Sequence, residues 1–244
     1  MKNKKPKILY FDIETTPILG YAWVMYEANI LKTVKDWKLL SVAYKWENEK
    51  EIRCFSQKNL SEKQVVKKLH SLFNEADVII GHNSDSFDIK KSNAKFVQFK
   101  LKPPSLYKSV DTLKIARNKF KFTSNKLNDL AEFLGIGQKE KTGGFDLWIQ
   151  CMAGNKSAWN VMEKYNKKDV VLLAGVYKIL RSWMPNHPNL AAMEDKKLAC
   201  PVCASVNVQK RGTAVSRTVR KQRLNCQKCG HWYLGETVKN EDES

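Results

Sequence analysis

Over its first third the chain alternates short apolar bursts with charged turns, and beyond that its apolar residues recur at helical spacing. Lys7 to Ile13 is an apolar run ending among acids, Leu39 to Trp46 mixes apolar with aromatic residues, and Ile52 to Phe55 follows a charged turn. Each has the length and composition of a strand, and the intervening turns predict hairpins. Ser61 then precedes Glu62 to Asn74, where Val65, Val66, Leu69, Leu72 and Phe73 fall on one helical face behind an N-cap. Asp77 to Gly81 reads as a compact β-branched strand, Phe87 to Phe99 as a helix, and Tyr107 to Thr112 as a further short strand.

From Asn125 the spacing is helical, with Leu127, Leu130, Ala131 and Leu134 on one stripe and Gly135 as C-cap. Gln138 to Gly144 is polar, carries two glycines and reads as a basic loop. A last long helix is expected from about Ala158 to Trp183, with Val161, Val171, Leu172, Val176, Ile179 and Leu180 facing the core and Pro185 and Pro188 ending it. Asn189 to Lys197 is the linker candidate. The expected division is a main domain over 1–188, a linker over 189–197, a small second domain over 198–237 and an acidic tail over 238–244.

Length and charge add to this. At 244 residues and 28.1 kDa the chain can bury one core and still carry a satellite. A net charge of +18 and a pI near 9.6 point to a polyanionic partner such as nucleic acid. No stretch approaches the roughly 20 apolar residues that span a bilayer, and the run after the basic N-terminus is too short for a signal peptide. The expectation is a soluble, intracellular, cytoplasmic protein without a membrane partner. Of six cysteines, four form two Cys-x-x-Cys pairs near the C-terminus, leaving Cys54 and Cys151 isolated, so metal ligation is preferred to disulfides.

Acidic residues supply the candidate chemistry. Asp12 and Glu14 are two apart on a strand and project to the same side, while Tyr165 and Asp169 are four apart on a helix and share a face. Asp88 sits at a loop-to-helix junction after Gly81-His82-Asn83. Hard divalent cations bind through carboxylates, and two of them about 3.5 to 4 Å apart can activate water and stabilise a leaving oxygen. A tyrosine with its ordinary pKa of about 10 is a poor base, which leaves Tyr165 a positioning role. His82 and Asp85 flank the second motif and are left out of the catalytic set, and Asp111 reads as a helix N-cap.

In this order, Asp12-x-Glu14, Asn83-x-x-x-Phe87-Asp88 and Tyr165-x-x-x-Asp169 resemble the three motifs of the DEDDy exonucleases of the DnaQ-like, ribonuclease H-like superfamily. The likeness covers about Lys7 to Trp183, and Phe11 to Thr16 and Gly81 to Lys90 look most like the proofreading domains of family B DNA polymerases and their stand-alone relatives. It implies an α/β fold with a mixed five-stranded sheet flanked by helices. It also implies 3′-to-5′ exonuclease chemistry on single-stranded DNA ends, with two Mg²⁺ or Mn²⁺ held by Asp12, Glu14, Asp88 and Asp169 and water oriented by Tyr165. No polymerase domain follows, so a free-standing nuclease is expected. DNA as substrate rests on this likeness; an exoribonuclease is the nearest alternative, and a catalytically silent nucleic-acid-binding or partner-recruiting protein is the alternative from another class.

Cys200-Pro-Val-Cys203 and Cys226-Gln-Lys-Cys229 are 22 residues apart, the spacing of a four-cysteine site for one structural Zn²⁺, and the segment resembles a zinc ribbon. Strands are expected at Val206 to Lys210, Arg220 to Asn225 and Trp232-Tyr233. Between Lys196 and Gly235 there are nine Lys and Arg and no acid, so Arg211, Arg217, Arg220, Lys221 and Arg223 are candidate phosphate contacts. Trp232 is a candidate for base stacking, and His231 is expected to stand outside the ligand set. Docking of a protein partner is the other role open to the ribbon.

Overall fold

The computed structural model describes residues 5–26, 29–138 and 142–238. Within the expected basic loop, Lys139, Glu140 and Lys141 lie outside the described residues, as do the first four residues and all but the start of the acidic tail. The chain divides into two compact units, one over Lys7–Val176 and the other built from Tyr177 onward together with the N-terminal residues.

In the first unit β1 (Ile8–Thr15) is followed by a short ribbon, β2 (Leu19–Tyr21) and β3 (Lys32–Lys35), and then by β4 (Leu39–Trp46) and β5 (Arg53–Ser56). The first sheet connection is therefore longer than the simple hairpin expected from sequence. A two-stranded excursion occupies it, and its exposed side chains carry no core periodicity to announce them. Helix α1 (Glu62–Glu75) starts at the expected Ser61, whose hydroxyl accepts from Gln64 N while Gln64 Oε1 accepts from Ser61 N. All five predicted apolar positions of this helix are buried.

β6 (Val78–Gly81), α2 (Asp88–Gln98), β7 (Lys108–Asp111), α3 (Thr112–Lys119), α4 (Leu127–Phe133), α5 (Asp146–Met152) and α6 (Lys156–Leu180) complete the unit, α6 crossing its boundary. Gly135, just past α4, is left-handed at φ 67°, as its predicted capping role requires. The five-stranded sheet has the order β5-β4-β1-β6-β7; β1 runs antiparallel to β4 and parallel to β6. Leu9, Phe11 and Ile13 point to one face and join Val65, Leu69 and Phe73 of α1 and Phe96 of α2 in the main core. The alternate residues of β1 face the other way, where α6 packs through Trp159 and Met162 with Leu40 of β4.

Of the six core positions expected on α6, Leu172, Val176 and Leu180 are buried and the other three are not. Ala158, Trp159, Met162, Asn166, Asp169, Val170, Leu173 and Val176 are buried, at steps of three and four. Val161, Val171 and Ile179, expected in the core, are 41%, 39% and 42% exposed, because at 3.6 residues per turn they fall off the centre of that stripe. The stripe passes through two polar residues, Asn166 and Asp169, so apolar residues alone could not trace it.

In the second unit a 3₁₀ turn (Arg181–Trp183) follows, Met184 is buried beside the first of the prolines, and α7 (Leu190–Met193) occupies much of the expected linker. Leu190 N donates to Pro201 O at 2.7 Å, which ties α7 to the cysteine segment. β8 (Val208–Val215), β9 (Arg220–Cys226) and β10 (Trp232–Thr237) form an antiparallel sheet of order β10-β9-β8 around the buried Cys200, Val202 and Cys226. This is a ribbon, its strands longer than the sequence suggested.

Candidate functional site

The parallel pairing of β1 with β6 covers only Ile8 to Tyr10, so β1 runs on alone on that side through Phe11 to Thr15. Beyond Gly81 the neighbouring chain turns away. A Cβ there would collide with Ser84, so the turn needs glycine. Asp12 and Glu14 therefore stand past the end of the parallel ladder, beside a cleft of about 500 Å³ whose lining includes Asp12, Asp169, His82, Asn83, Arg117 and Lys126.

Carboxylate oxygens of Asp12, Glu14 and Asp169 all lie within 4.8 Å of one another, and Asp169 is only 3% exposed. Asp88 lies outside that trio. It is 5% exposed, and its Oδ1 accepts from Ile13 N at 3.2 Å, so it caps the backbone between Asp12 and Glu14 where β6 no longer supplies a partner. Burial pushes its carboxyl up to about 7, with the Asp111 charge adding to the rise and the Ile13 N–H opposing it. Tyr165 is half-buried one turn before Asp169, its ring edge-on to Trp148 at 6.2 Å.

Two residues outside the predicted set organise this region. Asn166 is fully buried; its Nδ2 donates to Asp12 Oδ2 at 2.6 Å and to Asp12 O at 3.3 Å, and its Oδ1 accepts from Ser41 Oγ at 2.9 Å. Asp111 caps α3 as expected, accepting from Leu113 N at 3.0 Å, and the same carboxylate also accepts from Asn83 N at 2.8 Å and Asp85 N at 3.2 Å. Asp111 thus holds the loop leading to Asp88. His82 spans Thr112 Oγ1 and Asn125 O, each at 2.9 Å, and Asp85 pairs with Lys114 at 2.6 Å, so both serve the loop's shape.

With the sheet order and the cleft in view, comparison with known proteins is decisive on family. A sequence model of the RNase H superfamily matches residues 9–181. The chain belongs to the RNase H superfamily. The family B DNA polymerase from the hyperthermophilic archaeon Pyrobaculum calidifontis has a similar fold, with a TM-score of 0.55 at 17% identity over 82% of this chain and 26% of that one. This RNase H-superfamily chain thus spans about a quarter of the polymerase's length. No curated protein matches it.

The superfamily member's second unit brings Cys200, Cys203, Cys226 and Cys229 together, with Cys200 Sγ 3.6 Å from Cys229 Sγ and Cys203 Sγ 3.6 Å from Cys226 Sγ. Four sulfurs bound tetrahedrally at about 2.3 Å stand about 3.8 Å apart, so this spacing fits one zinc-sized ion. Burial raises Cys200 and lifts Cys229 to about 11. Burial also raises Cys226, yet the backbone N–H groups of Cys229 and Lys228 bring it below its ordinary value, as a thiolate-holding knuckle does. His231 is outside the cluster, with Nδ1 2.8 Å from Ser182 O. Arg211, Arg217, Arg220 and Arg223 are exposed and Lys221 is half-buried; Trp232 is 50% exposed with the Arg223 guanidinium 5.2 Å from its ring centre.

Proposed function

We propose that the chain is a metal-dependent 3′-to-5′ exonuclease that shortens single-stranded DNA ends. The observation that carries this reading is the convergence of Asp12, Glu14 and Asp169 within 4.8 Å of one another, two of which, Asp12 and Asp169, line a cleft that also holds Arg117 and Lys126. Carboxylates this close repel one another, and an all-oxygen donor set suits Mg²⁺ or Mn²⁺. Two such cations supply charge neutralisation at the scissile phosphate and lower the pKa of water.

The chain's own residues do the rest. Asn166, backed by Ser41, fixes the Asp12 carboxylate against β1. Asp88, whose Oδ1 accepts from Ile13 N–H, would serve as the fourth carboxylate ligand. The Tyr165 hydroxyl orients the attacking water, while Arg117 and Lys126 meet the phosphates of the incoming strand. DNA is preferred on the motif resemblance, supported by the fold shared with a DNA polymerase.

In the ribbon, one Zn²⁺ on the four cysteines stabilises a sheet too small to fold by burial alone. Arg211, Arg217, Arg220, Lys221 and Arg223 bind phosphates there, and Trp232 stacks on a base. The reading is tested with matched labelled DNA and RNA strands in Mg²⁺, Mn²⁺ and EDTA. Shortening of DNA in either cation and of nothing in EDTA supports it; loss of RNA alone moves the substrate to RNA, and intact strands throughout reject the nuclease.

A further inference from the structure

The ribbon of β2 and β3 carries a dense run of exposed large hydrophobic side chains. Tyr21 is 65% exposed, Trp23 89%, Met25 87% and Tyr26 84%. Among the described residues β2 and β3 pair only with each other. A two-stranded hairpin is marginal in water by itself, and a cluster of bare rings on it marks a surface that something covers.

Register shows what kind of surface it is. Lys32 stands directly opposite Tyr21, and Lys35 opposite Leu19, in the antiparallel pairing. Directly opposed residues share a face, so Lys32 lies beside the Tyr21 ring and, beyond the register shift between Leu19 and Gly20, Lys35 lies beside Leu19, while Trp23 and Tyr26 follow β2 toward the turn. Exposed rings on a ribbon that also carries lysines match single-stranded nucleic acid, whose bases offer π-faces and whose backbone offers phosphates. A duplex hides those faces in its own stack, and a second copy of a chain carrying +18 is repelled by the first.

Chain length places the ribbon near the carboxylates. Leu19 follows Glu14 by five residues and so stands within about 18 Å of it. We propose that the β2–β3 hairpin is a single-strand holding arm: Tyr21, Trp23 and Tyr26 stack on unpaired bases of the strand whose end occupies the carboxylate cleft, and Lys32 and Lys35 take the adjacent phosphates. The proposal rests on the nuclease reading for its polarity and deepens it by naming the residues outside the cleft that hold the unpaired strand.

The test measures binding of a labelled 20-nucleotide single strand and of the matching duplex without chelator in the Asp12→Ala background, where cleavage is blocked and the cysteine site keeps its metal. Hydrolysis of the small phosphodiester thymidine 5′-(p-nitrophenyl phosphate) with Mn²⁺ is followed in parallel with Asp12 intact. Trp23→Ala with Tyr26→Ala weakens single-strand binding about 10- to 100-fold, leaves duplex binding within about twofold, and leaves hydrolysis of the small ester unchanged. Trp23→Phe with Tyr26→Phe, which keeps the rings, restores most of the affinity. Equal weakening on both nucleic acids, unchanged single-strand binding, or loss instead of a concentration-dependent dimer would each overturn the arm. Failure of the intact protein to hydrolyse the ester would reject the nuclease reading while leaving the binding result to stand by itself.

Discussion

Asn166 donates its side-chain amide to Asp12 Oδ2 at 2.6 Å, joining the middle of α6 to the carboxylate strand across 154 residues of sequence. The amide cannot turn away, because its oxygen is occupied by Ser41 Oγ at 2.9 Å. An aspartate held in this way presents its carboxylate in a fixed orientation before any cation arrives. Such preorganisation is what outer partners contribute at metal sites.

Replacing Asn166 with alanine is therefore expected to lower turnover and Mn²⁺ affinity about 10- to 100-fold and to cost about 1–3 kcal/mol of stability from the orphaned partners. Asn166→Asp, which sets an anion against Asp12, is expected to lower cation-free stability further. Calorimetric Mn²⁺ titration with thermal unfolding checks both; unchanged cation affinity in Asn166→Ala would remove the residue from the site.

Tyr165 offers a cleaner separation of roles. Tyr165→Phe keeps the ring against Trp148 and removes only the hydroxyl, so turnover is expected to fall about 10- to 100-fold with Mn²⁺ and DNA binding retained. Steady-state kinetics beside binding isotherms decide it, and unaltered turnover excludes water positioning.

Much of this was readable from sequence and some was not. The helix at Glu62–Glu75 carried its apolar face and its capping box in local residues, and β1, β4 and β6 of the main sheet each left an apolar run rich in β-branched or aromatic residues. The motif carboxylates were visible because their chemistry fixes residue type at short spacing. Asn166 was hidden inside a motif gap, since its meaning depends on Asp12 and Ser41, both more than 120 residues away. The face of α6 misled for the same reason: its core stripe includes Asn166 and Asp169, while Val161 and Val171 look outward.

The cysteine unit is expected to depend on its metal. Zinc analysis should find one ion per chain, and chelation or Cys226→Ser should unfold the β8–β10 sheet while the sheet carrying Asp12 stays folded, since structural zinc contributes about 10–16 kcal/mol to small modules at pH 7. Hydrogen exchange resolved by segment reads this, and an unprotected main sheet after chelation would contradict it.

Burial, joined by the neighbouring charges of Arg181 and His231, pulls His187 down from 6.5 to about 4, although Pro188 O opposes the change. The folded protein therefore resists a proton that the unfolded chain accepts. Its contribution is fully present above pH 6.5 and is lost as pH falls toward 4. Across that window the native protein should lose about 1–3 kcal/mol more than His187→Gln. The difference between the two carries the test, because the cysteine site sheds metal in the same direction. Parallel curves would show that His187 is not held neutral.

The central claim is that Asp12, Glu14, Asp88 and Asp169 cut a polynucleotide stepwise from its 3′ end. A 5′-labelled single strand of DNA incubated with the intact protein and Mg²⁺ or Mn²⁺ tests it most directly. The expected result is a ladder that shortens one nucleotide at a time and vanishes both in EDTA and in Asp12→Ala. A strand left at full length by the intact protein in both cations, or a ladder that survives Asp12→Ala, would contradict it.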